Sequence, residues 1–140
     1  MRLQDEGGER SIELRPTALQ PDDDRVLAEV AVDDGARRWS LTDSPCLTRD
    51  EARDLAAWLA GIAEDATAAA DEWTSLTFSS NVLSMSGHRI PGGTVELRIA
   101  VLRMRASDDR TADVVVGLRT PQAAVSAAAR DLLAGLDALR

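Results

Sequence analysis

The chain has no lysine and no tyrosine, and it carries one cysteine (Cys46), one histidine (His88) and one phenylalanine (Phe78) in 140 residues. A single cysteine excludes an intrachain disulfide. One cysteine and one histidine exclude the four-ligand thiolate and imidazole cages of structural zinc. Acid–base chemistry is left with carboxylates, arginines and one imidazole. No apolar run approaches the roughly 18 residues of a membrane span. Residues 1–10 lack the apolar stretch of a secretory leader. The sequence therefore predicts a cytoplasmic protein without a membrane partner, in keeping with its lone thiol. No cofactor and no metal is expected.

The charge is present in abundance and with one sign in excess. All 16 basic residues are arginines, against 24 acids, for a net charge of −8. Such a surface repels phosphate backbones on average, so a nucleic-acid partner is not expected. A basic protein partner fits better. The excess is uneven. Residues 1–35 hold ten acids and four arginines, residues 36–65 six and four, and residues 66–140 eight of each. The loop Asp22, Asp23, Asp24 and the turn Asp33, Asp34 are its centres.

A length of 140 residues predicts one domain over 1–140, with 1–10 as a flexible lead-in. Residues 11–15 alternate as a strand that Pro16 stops, and 16–24 form a loop. Residues 25–32 are a stronger strand, with Val26, Ala28, Val30 and Val32 on one face. Asp34-Gly35 closes a hairpin onto residues 36–42, which carry Trp39. Residues 43–47 read as a turn. Thr48 and Glu51 then form a capping box, followed by a helix with the stripe Ala52, Leu55, Trp58, Leu59 and Ile62. Residues 64–72 read as a loose helical extension or a connector. Strands follow at 73–78, 82–87, 94–105 and 111–119, with turns at 88–93 and 106–110. On the strand 94–105 the face opposite Val95, Leu97, Ile99 and Val101 turns apolar at Leu102 and Met104, which predicts cover by another element. Thr120-Pro121 starts a last helix, with Thr120 as N-cap and the stripe Val125, Ala129, Leu132, Leu136 and Leu139 widened by Leu133. The order β-β-β-α-β-β-β-β-α predicts an α+β fold: a mainly antiparallel sheet of six or seven strands packed with two helices.

Chemistry has little support. Cys46 and His88 would need mutual contact and a third orienting group to act as nucleophile and base, and nothing in the sequence brings them together. His88 reads as a surface residue in a turn. Asp22, Asp23 and Asp24 lack the spacing of a calcium loop. Gly92-Gly93 lacks the residues of a phosphate loop. The arginines at 98, 103 and 105 could form an anion site, but they lie at mixed phase on a strand, and most of them read as ordinary partners of carboxylates.

Residues 14–16 (LRP), 37–59 (RRWSLTDSPCLTRDEARDLAAWL) and 75–85 (SLTFSSNVLSM) resemble the WapI-family immunity proteins, small bacterial proteins common in actinobacteria. Trp39, Asp43, Pro45, Cys46, Leu47, Thr48, Leu55, Trp58 and Leu59 match that pattern, as do Phe78 and Asn81 later in the chain. The sequence departs from it at Ser44, which stands like an insertion between Asp43 and Pro45, and at Ser79-Ser80, where the family usually has an acid and a proline. The resemblance implies a non-catalytic protein that neutralises a cognate toxin domain. The toxins it implies, of the WapA type, include RNA-cleaving domains. Acidic charge complements a basic toxin of that kind. The expected partner-binding residues are Asp22, Asp23, Asp24, Asp33 and Asp34 from the charge, and Asn81 from the resemblance. The alternatives are a binding or scaffold domain that forms a homodimer through a sheet edge, and a small enzyme that uses Cys46.

Overall fold

The computed structural model describes residues 1–21, 24–64 and 72–139. Eight strands and two helices follow one another as β1 (Arg2–Gln4), β2 (Arg10–Leu19), β3 (Arg25–Asp34), β4 (Arg38–Thr48), α1 (Arg49–Glu64), β5 (Thr74–Thr77), β6 (Leu83–Ile90), β7 (Thr94–Ala106), β8 (Thr111–Pro121) and α2 (Gln122–Asp137). This is the α+β fold expected, with one more strand at the start. Every strand pairing is antiparallel. The strand order is β1-β2-β3-β4-β7-β6-β5, with β8 on the other edge of β7. The sheet curls until its ends meet. The Glu6 N–H donates to the Arg119 carbonyl (2.8 Å), and Asp5 Oδ1 accepts from the Arg119 N–H (2.7 Å).

Alternation explains the core. Val26, Ala28, Val30 and Val32 of β3 and Val95, Leu97, Ile99 and Val101 of β7 are buried together with Ala52, Leu55, Leu59 and Ile62 of α1 and Val125, Ala129, Leu132 and Leu136 of α2. The two helices pack on each other, and both touch the sheet. The capping box forms as expected: Thr48 N–H donates to Glu51 Oε1 (3.0 Å), and Glu51 N–H donates to Thr48 Oγ1 (3.1 Å). At the far end of α1, Gln122 Nε2 donates to the Ala63 carbonyl (2.8 Å) and ties the start of α2 to the end of α1.

Several local expectations are corrected. The lead-in contains β1, whose Leu3 is fully buried opposite Ile12; a three-residue strand is too short to show periodicity. Pro16 does not stop β2. It lies past the end of β1, beside a bulge at Thr17, where its missing N–H breaks no ladder. Residues 43–47 are not a turn but part of β4, which absorbs two extra residues against β3 between Leu41 and Leu47. Met104 is not covered from the outside. An extra residue between Val101 and Met104 shifts the phase of β7, so Met104 and Ala106 point back into the core. His88 is not in the turn, because β6 runs on to Ile90. Thr120 is not the N-cap. It stays in β8 opposite Val95, fully buried, and Pro121 holds the cap position without a side-chain bond. Leu133 faces solvent rather than the core. The connector expected at 64–72 falls mostly outside the described residues.

Candidate partner-binding surfaces

The expected site residues divide between the two ends of the β3–β4 hairpin. Asp33 and Asp34 stand at the tip and Asp24 at the base. The ten residues of β3 separate them by roughly 30 Å at about 3.3 Å per residue. Asp22 and Asp23 lie outside the described residues.

At the tip, Asp34 is built into the turn. Its Oδ1 accepts from the N–H groups of Ala36 (2.9 Å) and Arg37 (2.7 Å), and its Oδ2 accepts from Trp39 Nε1 (3.0 Å). The Ala36 bond leads in holding its pKa below the ordinary value, against an opposing effect of partial burial, with help from Trp39 and Arg37. Asp33 Oδ1 accepts from the Gly35 N–H (3.0 Å), and Gly35 takes the left-handed φ of 93° that the turn requires. Asp34 is thus a structural acid, which the sequence pattern could not distinguish from its neighbour.

At the base, Asp24 is exposed. Its carbonyl accepts from the Arg49 N–H (2.8 Å), and its carboxylate lies 3.9 Å from Arg49 Nε. Asn81 sits on the same side of the molecule. It is exposed in a left-handed turn (φ 58°), and its N–H donates to the Phe78 carbonyl (3.1 Å). Of the two serines before it, Ser79 is exposed and Ser80 half-buried, and both bond to neighbouring elements. Ser79 donates to Glu51 through both its N–H (2.6 Å) and its hydroxyl (3.0 Å), and Ser80 Oγ donates to the Cys46 carbonyl (2.6 Å). The serine pair therefore latches the 78–82 turn onto β4 and α1. Burial raises the pKa of Glu51, but the bonds from Ser79 and Thr48 outweigh it and leave the carboxyl below its ordinary value.

Between Asp24 and Asn81 the sheet forks. β4 pairs with β7 only at Trp39–Ala106 and Ser40–Arg105, after which β6 takes its place beside β7. The fork leaves an open groove of about 640 Å³, with Arg25, Leu41, Asp43, Pro45, Val82 and Arg103 among its walls. Among the described residues, three of the four non-glycine residues with positive φ lie on or beside it: Asp43 (51°), Asn81 and Arg103 (56°). Such backbone is uncommon outside glycine and concentrates at functional sites. The sequence offered one signal for this groove, the phase change between Val101 and Met104, and that was open to another explanation.

Cys46 is fully buried, and desolvation pushes its thiol up to about 11, so it is protonated at neutral pH. His88 packs against Trp73, with ring centroids 4.1 Å apart, and its Nε2 lies 3.7 Å from Glu96 Oε1. Among the described residues no group of His, Cys, Asp and Glu is placed to hold a metal ion. No helix among the described residues is long and apolar enough to cross a membrane.

None of the curated proteins matches this chain. The sequence pattern described as the immunity protein WapI-like family matches residues 2–140, and the chain belongs to that family.

Proposed function

We propose that this protein protects its cell by binding a cognate toxin domain and blocking it by surface complementarity, without catalysis, in the cytoplasm. The observation that carries this reading is the family match, which spans residues 2–140. The charge supports a basic partner. A net charge of −8, with its excess in the first 35 residues, accelerates encounter with a cationic surface. A nuclease is cationic where it holds phosphates, so a nuclease toxin is the partner this charge fits best.

Asp22, Asp23, Asp24, Asp33, Asp34 and Asn81 are the proposed contact residues. Asp24 and Asn81 flank the fork groove, so the base of the hairpin is the leading half of the interface. The test is a pull-down with the toxin domain encoded beside the gene, together with rescue of growth on co-expression. The expected result is submicromolar binding that weakens as salt rises. Absence of binding at micromolar concentration would remove the reading. A salt dependence unchanged by Asp24→Asn and Asp33→Asn would remove the acidic interface.

A further inference from the structure

The helices and the core lie on one face of the sheet, and the opposite face of β5, β6, β7 and β8 is uncovered among the described residues. We propose that this outer face, centred on Trp73 and Arg98, is a docking surface for a carboxylate-bearing segment of the toxin domain. The proposal rests on the toxin-binding reading above and adds to it a second surface, built around one arginine that has no ion pair among the described residues.

The middle of the face is a shallow depression lined by small residues. Ser84, Ser86, Ala100 and Gly117 occupy neighbouring positions across β6, β7 and β8, with Arg98 between Ser86 and Gly117. Two of the three exposed large hydrophobic residues among the described ones border it: Trp73 is 44% exposed and Val115 is 62% exposed. They stand at opposite corners of it, Trp73 level with His88 and Glu96, and Val115 beside Ala100, so Trp73 is the apolar anchor next to Arg98.

The charge of the face is what assigns its occupant. Residues 66–140 are neutral overall, yet around Trp73 three arginines, Arg10, Arg98 and Arg119, line a depression of about 210 Å³ that holds one acid, Glu96. Arg119 pairs with Glu96 (3.1 Å), and Arg10 pairs with Asp5 (3.4 Å). Arg98 makes no ion pair among the described residues. Its guanidinium lies instead over the Trp73 ring, 5.7 Å from the centroid, and Trp73 is backed in turn by His88. An arginine held by an aromatic ring keeps its donors free and loses little further freedom on binding a carboxylate. Tryptophan and arginine are also the side chains that dominate measured interfaces. Four strands about 4.8 Å apart, over the eight residues of β6, span roughly 15 by 26 Å, about half of a standard partner face. That footprint suits one acidic helix or loop of the toxin rather than a whole domain face.

The test compares wild type, Trp73→Ala, Arg98→Glu and Arg98→Ala for binding to the neighbouring toxin domain by titration calorimetry. Melting curves establish that each exposed-site variant folds. The expected result is at least tenfold weaker binding for Trp73→Ala and Arg98→Glu, a smaller loss for Arg98→Ala, and partial recovery of Arg98→Glu by an acid-to-arginine change in the toxin. If the wild type binds and all three variants bind equally well, the proposal is overturned while toxin binding stands. If the wild type does not bind, both fall. Light scattering that finds a wild-type dimer dispersed by Arg98→Glu would assign the face to a second copy instead. An RNA oligonucleotide retained by the wild type and released by Arg98→Glu would assign it to nucleic acid. Either result would overturn the proposal.

Discussion

Replacing Glu51 by alanine tests the latch that holds the groove together. Its carboxylate accepts three hydrogen bonds, from the Thr48 N–H, the Ser79 N–H and the Ser79 hydroxyl. The first belongs to the helix cap, whose loss costs about 1 kcal/mol. The other two are charge-assisted bonds, worth about 1.5–3 kcal/mol each where water is excluded. Here Ser79 is exposed and water replaces part of that, so about 1.5 kcal/mol for the pair is the reasonable share. The expected loss is about 2.5 kcal/mol, or roughly 10 °C in Tm for a chain of this length. Urea denaturation followed by circular dichroism measures it. Glu51→Gln keeps an acceptor without the charge and should lose about half as much. A double-mutant cycle with Ser79→Ala should return a coupling of about 0.5–1 kcal/mol. A loss below about 0.5 kcal/mol for Glu51→Ala would refute the reasoning and leave the 78–82 turn held by Ser80 and packing alone.

Other expectations are quickly checked. Leu3→Ala should cost about 2–4 kcal/mol in urea denaturation, because Leu3 is fully buried, whereas a frayed lead-in would give almost nothing. Gly87→Ala should destabilise by about 1–3 kcal/mol, since its Cβ would come 2.6 Å from Leu97 Cδ2 and 3.1 Å from the Glu96 carbonyl. Gly61→Ala, inside α1 with nothing within 4 Å, should instead stabilise by about 0.5–1 kcal/mol in the same assay. Asp5, Asp34 and Glu51 are all held below their ordinary pKa values, Asp5 chiefly by the Arg119 N–H. Their stabilisation is therefore complete above the ordinary carboxylate range and is lost as pH falls through the lowered folded values. A stability profile should decline below about pH 4, and Glu51→Gln should flatten that decline.

The regular elements were legible where one physical rule acted alone. In β3 the period of two and a single buried face agree, and in α1 the capping box and the apolar stripe agree. The sequence reading failed where a bulge changed the phase. The pattern from Ser40 to Thr48 contains Asp43 and Pro45, which look like punctuation, yet both sit within a strand that absorbs two extra residues. Leu102 and Met104 looked like a second apolar face because a one-residue bulge cannot be told from added cover in a linear pattern. Pro16 and Thr120 follow the same logic: each carries a local signal for a boundary, overridden by the pairing of its strand. The acids of the site were legible as charge but not as roles. Asp33 and Asp34 are adjacent and chemically alike, and only the reach of the Ala36, Arg37 and Trp39 donors makes Asp34 a structural group.

The two charged surfaces should separate in kinetics. At physiological ionic strength charges are screened over about 8 Å, so the field that guides a distant partner comes from many acids together and not from one arginine. Asp24 and Asp33, at opposite ends of the hairpin, contribute to that field. Changing both to asparagine should lower the association rate constant by about 2–5-fold and flatten its salt dependence, with little change in dissociation. Asp34 is left out of this pair because its loss would unseat Trp39. Arg98 acts only at contact, through a ring and a carboxylate that meet it after encounter. Arg98→Glu should therefore speed dissociation and leave association within about twofold. Stopped-flow or surface-based kinetics with the toxin domain, from low salt to 0.5 M, distinguishes the two. If the aspartate pair alters only dissociation, the acids are contact residues and not steering residues. If Arg98→Glu alters only association, the outer face belongs to the long-range field, and the argument for a docked carboxylate there fails.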